Sequence, residues 1–385
     1  MHLLGSVRFW TLGVFFVGAF VLTAFPGWLI LRLGDYGRHH HWTHNARHVT
    51  MMRTLVLMQY YALTILPLPP LCAFRHVLFA RISVLVATTF GWYVANYVLG
   101  SVLGREHVFP KPVVWFEGER AAVLQLIHWL SLFGPLVTFG LELKYRISAS
   151  VLAIGLKIVS IGATTTLLRV LGLLEPLPEF LVSTIDRAAP GVSAFALRSA
   201  APNAAANSRD RTIFVTTGAL QCLTPAGLKA VVAHELEHLK EPRTATWRRS
   251  FLGLFGTACS VTITLAAPHK LIGWMAVLVV LYALLASLLS KSSLAAERIA
   301  DRAGRQAEET DGDYARALLA LHEAFLVSPT MPGRRSHPDL YERLVKAGAK
   351  PDFPKSAPPL SVGLLWMVAF CLLSVLVLAV ACLRP

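Results

Sequence analysis

The sequence predicts a mainly α-helical, polytopic membrane protein, in which a transmembrane helix bundle carries a split α+β domain with a small sheet. Composition is the first reason, because 55% of the 385 residues are hydrophobic and only 15% are charged. Mean hydropathy is +0.56, above the range of soluble globular domains. The second reason is a series of apolar runs long enough to cross a bilayer. The third is a pair of polar stretches, 175–250 and 291–358, that together can form one modest hydrophobic core.

Eight apolar runs are candidate membrane spans, and seven is the alternative count. The first is about twice as long as the apolar region of a signal peptide and has no convincing cleavage site, so we expect a retained span. Prolines kink or break the second run. Lys157 and Arg169 suggest that the fifth faces the bundle or lies partly in the interface. The runs lie at about 9–33, 54–74, 82–104, 122–142, 149–174, 251–267, 270–290 and 360–383.

The order of these segments divides the chain into five parts. Two polar halves of one domain flank an apolar hairpin, so both halves should lie on the same side of the membrane. We expect a transmembrane region of about five spans at 1–174, a first half-domain at 175–250, a transmembrane hairpin at 251–290, a second half-domain at 291–358 and a last span at 359–385.

The charge distribution predicts the orientation. The net charge is +14, and most of the 36 Lys and Arg fall on the face that receives 34–53, 105–121 and both polar stretches. The positive-inside rule places that face in the cytosol. Orientation and anionic lipid explain the charge better than nucleic acid, for which no basic-aromatic motif is visible. No organelle-targeting or ER-retention signal is evident, which favours a bacterial inner membrane.

Residues 231–238, V-V-A-H-E-L-E-H, hold the most informative motif. His234 and His238 are four positions apart, so on a helix their imidazoles share one face and can bind one metal ion. Glu235 lies about 100° further round the helix, where its carboxylate can reach a metal-bound water without being a ligand. Chance surface histidines are the alternative, and the preceding apolar helix-forming residues argue against it.

A hydrolytic zinc usually has three protein ligands, and residues 293–302 supply a candidate for the third. Glu297 and Asp301 are four positions apart on one helical face. Glu297 can bind zinc, while Asp301 can accept a hydrogen bond from a ligand histidine and fix its tautomer. Two acids on a solvated helix face are the alternative.

Four features in this order resemble the integral-membrane zinc metallopeptidases that include the HtpX-type quality-control proteases and the CAAX prenyl endopeptidase. The resemblance covers about 190–345 and departs at Ser193, where the family usually has Asn. The features are the V-S-A-F-A-L strand at 192–197 with the apolar segment 212–218, the H-E-L-E-H helix, the E-R-I-A-D segment at 297–301, and Ser336-His337-Pro338 with Arg343.

The resemblance implies a zinc-dependent endopeptidase with one Zn²⁺ per chain. His234, His238 and Glu297 would hold the ion, which would polarise water and the scissile carbonyl. Glu235 would take the proton of the water and later give it to the leaving amine. The implied partners are membrane-associated protein or peptide substrates and the bilayer itself.

The resemblance also implies contacts with the substrate. The strand with Ala194, Phe195 and Ala196 would lie at a sheet edge beside the H-E-L-E-H helix (the zinc helix), where an extended substrate can pair with it. A core position is the alternative for Phe195. Arg343 would stabilise substrate or the oxyanion, or else form a structural salt bridge. His337 would shape the cleft, or else be a turn residue satisfied by backbone.

Two other functions are possible from the sequence. One is a sensor-transducer that uses a similar zinc site to cleave a regulatory protein, although no sizeable extracytoplasmic ligand-binding domain is visible. The other is a non-enzymatic scaffold or transporter, against which the intact zinc motif argues. The histidines at 39–48 either capture metal weakly or belong to a basic juxtamembrane loop, which their spacing favours. The five cysteines have no metal-ligand or disulfide spacing.

Overall fold

A computed structural model describes most of the polar segments and part of the apolar ones. The described residues are 9–33, 41–52, 141–199, 201–265, 281, 294–330, 338–355 and 357–359, with scattered positions between 83 and 138. Five of the predicted spans therefore lie wholly or largely outside the described residues, namely 54–74, 82–104, 122–142, 270–290 and 360–383.

The N-terminal part of the described chain is helical. Of the described helices, the third alone is long and apolar enough to cross a membrane. It begins and ends earlier than the predicted run 149–174, because Ala163 leaves helical geometry at φ −127° and a separate short helix follows. The count of eight spans remains a prediction. The helices are α1 (Phe9–Leu33), α2 (residues 42–52), α3 (Leu143–Gly162) and α4 (Thr164–Val170).

The remaining elements form a mainly helical domain with one small sheet. The first half contains β1 (Leu174–Glu175), α5 (Glu179–Ala188), β2 (Ser193–Leu197), β3 (Ala204–Asn207), β4 (Thr212–Thr216), α6 (Thr217–Cys222), α7 (Pro225–His238) and α8 (Arg243–Leu265). The second half contains α9 (residues 294–306), α10 (Asp313–Ala324) and α11 (Leu340–Lys346).

The strand order in the sheet is β1-β2-β4-β3. β2 runs parallel to β4, with Phe195 opposite Phe214, whereas β1 and β3 are antiparallel to their neighbours. The prediction that the strand around Ala194–Leu197 lies at a sheet edge beside the zinc helix is wrong. β3 occupies that edge and packs against α7, because the β3–β4 hairpin puts β3 outside the β2–β4 pair.

The core has a layer on each face of the sheet. Ile213 and Val215 of β4 point toward α5, α7 and α10 and belong to the larger cluster. Phe214, between them in sequence, points to the opposite face and packs with Leu168 and Leu173 around α4. Side chains alternate along a strand, so a strand covered on both faces is buried throughout, as β4 is.

The helices α3 and α8 pack against each other in antiparallel order. Near one end, Nε of Arg146 donates to the carbonyl of Thr264 at 2.6 Å. Near the other, Gly253 leaves room for Lys157, since a Cβ at position 253 would lie 3.0 Å from Cε of the lysine. The buried Lys157 therefore faces the neighbouring helix, as the sequence suggested.

The helix α2 packs against the second half of the domain. The ring of Trp42 meets that of Phe353 edge-on, with centroids 5.6 Å apart. The backbone N–H of Ser328 donates to Oγ1 of Thr50 at 3.0 Å. Residues 41–52, from the basic loop 34–53, thus share one side of the molecule with the polar stretch 291–358.

Candidate metal centre

The helix α7 is well defined by its own sequence. Thr224 caps its N-terminus by accepting a hydrogen bond from the N–H of Gly227 at 3.1 Å, and Pro225 occupies the first turn, where a missing N–H costs nothing. Gly227 also permits close packing with α10, because a Cβ there would lie 3.1 Å from that of Ala317. The helix therefore buries the three polar side chains of its motif, His234, Glu235 and His238.

Three side chains of the structure converge on one point. The Nε2 atoms of His234 and His238 lie 3.2 Å apart. Oε1 of Glu297 lies 3.4 Å from Nε2 of His238, and its Oε2 lies 3.6 Å from Nε2 of His234. All three residues are buried, and they form the one group of three or more potential ligands within the described residues.

The helix α9 supplies Glu297 and, one turn later, Asp301. It can approach α10 because residue 304 is a glycine: a Cβ at Gly304 would lie 2.7 Å from the ring of Tyr314. This close approach seats the fully buried tyrosine directly behind His234. Because α10 also packs on α7 of the first half, the site joins the two halves of the domain.

Behind His234 lies a compact polar network. Nδ1 of His234 is 2.8 Å from the hydroxyl of Tyr314 and 3.3 Å from Oδ1 of Asp301. The tyrosine hydroxyl is 2.7 Å from Asp301, and Nη2 of Arg343 donates to both. Burial alone would raise the pKa of Asp301, but the hydrogen bond from His234 and the charge of Arg343 lower it well below its usual range, so it stays ionised.

Behind His238 lies a single carboxylate. Nδ1 of His238 is 2.5 Å from Oε1 of Glu241, three positions along the chain. Burial lowers the pKa of His238, but the hydrogen bond to Glu241 and the charges of Glu297 and Glu235 outweigh it, so the pKa of this histidine is raised. Both histidines are thus held from the side opposite Nε2, as metal-binding histidines usually are.

No curated protein sequence matches this chain. The model of peptidase family M48 matches residues 176–349. The match includes the motif helix α7 and the helix α9, which carries Glu297 and Asp301. The segment 176–349 is called the M48 domain below, after the family model that matches it. The resemblance predicted from the sequence is therefore confirmed.

M48 peptidases use zinc, and the ligand group of this M48 domain fits that ion. Ligands about 2.0–2.2 Å from a tetrahedral zinc lie about 3.3–3.6 Å from one another. The distances of 3.2, 3.4 and 3.6 Å among the facing atoms of His234, His238 and Glu297 agree with such a geometry. Two imidazoles and one carboxylate are also a usual donor set for a hydrolytic zinc with one open position.

The other predicted residues of the M48 domain lie in different places. Ala196 is buried in the larger core cluster and Ala194 packs against that cluster. Phe195 packs in the small cluster on the opposite face, with the guanidinium of Arg169 5.3 Å from its ring centroid. The core alternative for Phe195 is therefore favoured. His337 lies outside the described residues.

Arg343 does not face the converging ligand atoms. Its Nε and Nη2 bond to Asp301 and to Tyr314, which stand on the Nδ1 side of His234. The structure thus favours a structural salt bridge over a contact with an oxyanion. This salt bridge lies directly behind the metal centre and supports it.

Sequence reasoning missed two residues of the M48 site. Glu241 could have been found, because it lies one turn after His238. Tyr314 had no local signal: it is 80 positions from His234 and begins an ordinary amphipathic helix. Glu237, by contrast, is paired with Lys240 at the surface.

Proposed function

We propose that the chain is a membrane-anchored zinc endopeptidase that cleaves membrane-associated or hydrophobic proteins in the cytosol. The observation that carries the proposal is the buried ligand group of His234, His238 and Glu297, with Glu235 buried next to it in sequence and space. Three ligands satisfy a hydrolytic zinc, so the carboxylate of Glu235 is left for proton transfer.

The chemistry divides between the ion and the protein. When bound, zinc supplies a Lewis acid that polarises a carbonyl and lowers the pKa of water. Glu235 would accept the proton of the attacking water and return it to the leaving amine. Its burial places the carboxylate in a low-dielectric surrounding, and its charge acts on His238. Both features suit a general base beside the reacting carbonyl.

The substrate would bind along the open edge of β3 rather than β2. The turn after β3 is fixed to the zinc helix, because Oγ of Ser208 donates to the carbonyl of His238 at 3.2 Å. The N–H of Thr216 donates to the carbonyl of Asn203. Alternation along an antiparallel pair then turns the backbone groups of Ala204 and Ala206 away from β4. An extended peptide can pair with these groups.

Apolar surface supports anchoring in a membrane. Helix α3 has the length and hydropathy of a span, and its large side chains are widely exposed, with Val151 at 65% and Ile158 at 58%. Helix α1 is 25 residues long and similarly exposes Val14 and Phe25. Water would not favour such continuous apolar surface, whereas lipid would.

The packing of α2 supports the cytosolic orientation. The basic loop 34–53 is short enough to count in the positive-inside rule, and its residues Trp42 and Thr50 contact Phe353 and Ser328 of the peptidase domain. The loop and the domain would therefore lie on the same face of the membrane, where the excess of Lys and Arg predicts the cytosol.

Replacing the proposed base tests the activity. Glu235→Gln should reduce turnover of a denatured or membrane-protein substrate by several orders of magnitude and leave zinc content unchanged, since Glu235 moves protons and is not a ligand. Glu237→Gln is the matched control, because this acid is on the same helix and pairs with Lys240 at the surface. Its turnover should equal that of the wild type.

The same pair of variants can identify substrates. Membranes from cells that express Glu235→Gln should accumulate proteins that cells expressing wild type or Glu237→Gln cleave, and quantitative proteomics of new N-termini would find the cleavage sites. Normal proteolysis by purified Glu235→Gln, with contaminating proteases excluded, would contradict the proposed role of this residue.

A further inference from the structure

We propose that Tyr314 is a positioning residue of the metal centre, whose hydroxyl fixes His234 in the tautomer that can bind zinc. The proposal rests on the proposed function, in which His234 is a zinc ligand through Nε2. It concerns a residue of α10, outside both sequence motifs. The donors and acceptors around the buried hydroxyl of Tyr314 determine which ring nitrogen of His234 carries the proton.

A tyrosine hydroxyl can donate one hydrogen bond and accept two. Three polar groups surround that of Tyr314: Nη2 of Arg343 at 2.8 Å, Oδ1 of Asp301 at 2.7 Å and Nδ1 of His234 at 2.8 Å. A guanidinium can only donate, so Arg343 uses one acceptor position of the hydroxyl. An aspartate paired with a guanidinium can only accept, so the hydroxyl proton points to Asp301.

One acceptor position of the hydroxyl remains, and Nδ1 of His234 is the group that faces it. Nδ1 must therefore be the donor and carry the proton of the neutral imidazole. The lone pair of His234 is then on Nε2, which faces His238 and Glu297 at 3.2 and 3.6 Å. The network thus dictates the tautomer that metal binding requires.

The two ligand histidines are fixed in different ways. His238 is held by the carboxylate of Glu241 directly, at 2.5 Å. His234 is 3.3 Å from the carboxylate of Asp301, longer than its 2.8 Å contact with the hydroxyl. Tyr314 therefore makes the shorter contact and also links the imidazole to the Asp301–Arg343 pair.

The test is the affinity of the full-length chain for zinc in detergent. Tyr314→Phe removes the hydroxyl and keeps the buried ring, and we expect zinc to bind about 10- to 100-fold more weakly in competition with a chromophoric chelator. The absorption spectrum of the Co²⁺-loaded protein should also change, since it reports ligand orientation. Tyr341→Phe is the matched control: this tyrosine packs edge-on against Phe353 in the same cluster, and its replacement should leave both readouts unchanged.

A second variant tests the donor count itself. Asp301→Asn keeps the shape of the side chain but allows its amide to donate to Tyr314, which would turn the hydroxyl proton toward Nδ1 and favour the wrong tautomer. Zinc affinity should fall in this variant too. The inference is overturned if folded Tyr314→Phe binds zinc within twofold of the wild type, or, should that variant not fold, if Asp301→Asn does so.

These measurements need no substrate. A wild-type chain that binds zinc but cleaves no peptide would overturn the proposed function, while the zinc affinities would still decide the role of Tyr314. A purely structural role would lower the melting temperature of the zinc-free protein and leave zinc affinity and the Co²⁺ spectrum unchanged, which would also overturn the inference.

Discussion

Nη2 of Arg343 lies 2.6 Å from Oδ1 of Asp301, and these two side chains are only 10% and 13% exposed. The contact joins α11 to α9 immediately behind a zinc ligand. Two opposite charges removed from water depend on each other, because either alone would be left without compensation in a low-dielectric interior. The pair therefore links the stability of the domain to the geometry of its metal centre.

Removal of Arg343 should be strongly destabilising. Arg343→Ala leaves Asp301 as an uncompensated buried charge, and we expect a loss of about 3–5 kcal/mol in the free energy of unfolding. Denaturation of the detergent-solubilised protein would measure it. Arg198→Ala is the control, because Arg198 pairs with Glu175 and both side chains are exposed, at 53% and 38%, so the expected loss is below about 1 kcal/mol. Equal losses in the two variants would contradict this account.

Zinc content should depend on the ligands of α7. The wild type should contain about one zinc per chain by elemental analysis, and His234→Ala/His238→Ala should contain essentially none. His322→Ala is a useful control, because this histidine contacts the carbonyl of Val327 and lies outside the ligand group. Unchanged zinc in the double variant would place the ion elsewhere.

The site was predictable where its geometry is local. His234 and His238 share a helix face by their spacing alone, and Glu297 and Asp301 do so on α9, so the converging ligands needed only that two helices meet. The placement of Tyr314 was not predictable, because it depends on α10 packing tightly over Gly304. The tertiary fold, not a motif, puts that hydroxyl behind His234.

The sheet, too, was predictable only in part: the positions of its strands follow from the sequence, but their order does not. The apolar residues of β2 and β4 indicated strands, and strands form there. The strand order, however, depends on parallel pairing of β2 with β4 between segments separated in sequence, and no local pattern reports it. A sequence interpretation that took β2 as the edge strand therefore chose the wrong one of two short apolar strands, since β3 lies against the zinc helix.

Substrate pairing with β3 predicts the effect of a proline at the open edge. Ala206→Pro removes an N–H that faces away from β4, so the sheet keeps its ladder bonds while a substrate loses one. We expect a higher KM for long unfolded substrates, with zinc content unchanged. The same substitution at the next position, Ala205→Pro, should instead destabilise the sheet, because the N–H of Ala205 faces β4. Unaltered KM in folded Ala206→Pro would exclude this edge as the substrate site.

The contact of His238 with Glu241 predicts a pH-dependent stability of the zinc-free protein. The pKa of His238 is raised above its ordinary value of 6.5 in the folded state, so its protonation favours folding. This contribution is complete below about pH 6.5 and is lost as pH rises through the folded-state pKa. Glu241→Gln removes the hydrogen bond to the carboxylate. The difference in melting temperature between wild type and variant should therefore be larger near pH 6 than near pH 9.

A difference in melting temperature that stays constant from pH 6 to pH 9 would mean that Glu241 acts by packing alone. Glu237→Gln provides the baseline, because this acid pairs with the exposed Lys240 and not with a ligand histidine. Zinc must be removed with a chelator beforehand, since bound metal would displace the proton from His238.

The orientation in the membrane can be tested by labelling single cysteines in a cysteine-free background. Asp186 and Glu323 are exposed and lie in the two halves of the peptidase domain. Because one metal centre needs both halves, cysteines at 186 and 323 should behave alike, and the positive-inside rule predicts that an impermeant reagent reaches them only after lysis. Cysteines at 269, in the expected turn of the hairpin, and at 385 should react in intact cells. Labelling of 186 and 323 in intact cells would invert the protein and direct the search for substrates to the extracytoplasmic side.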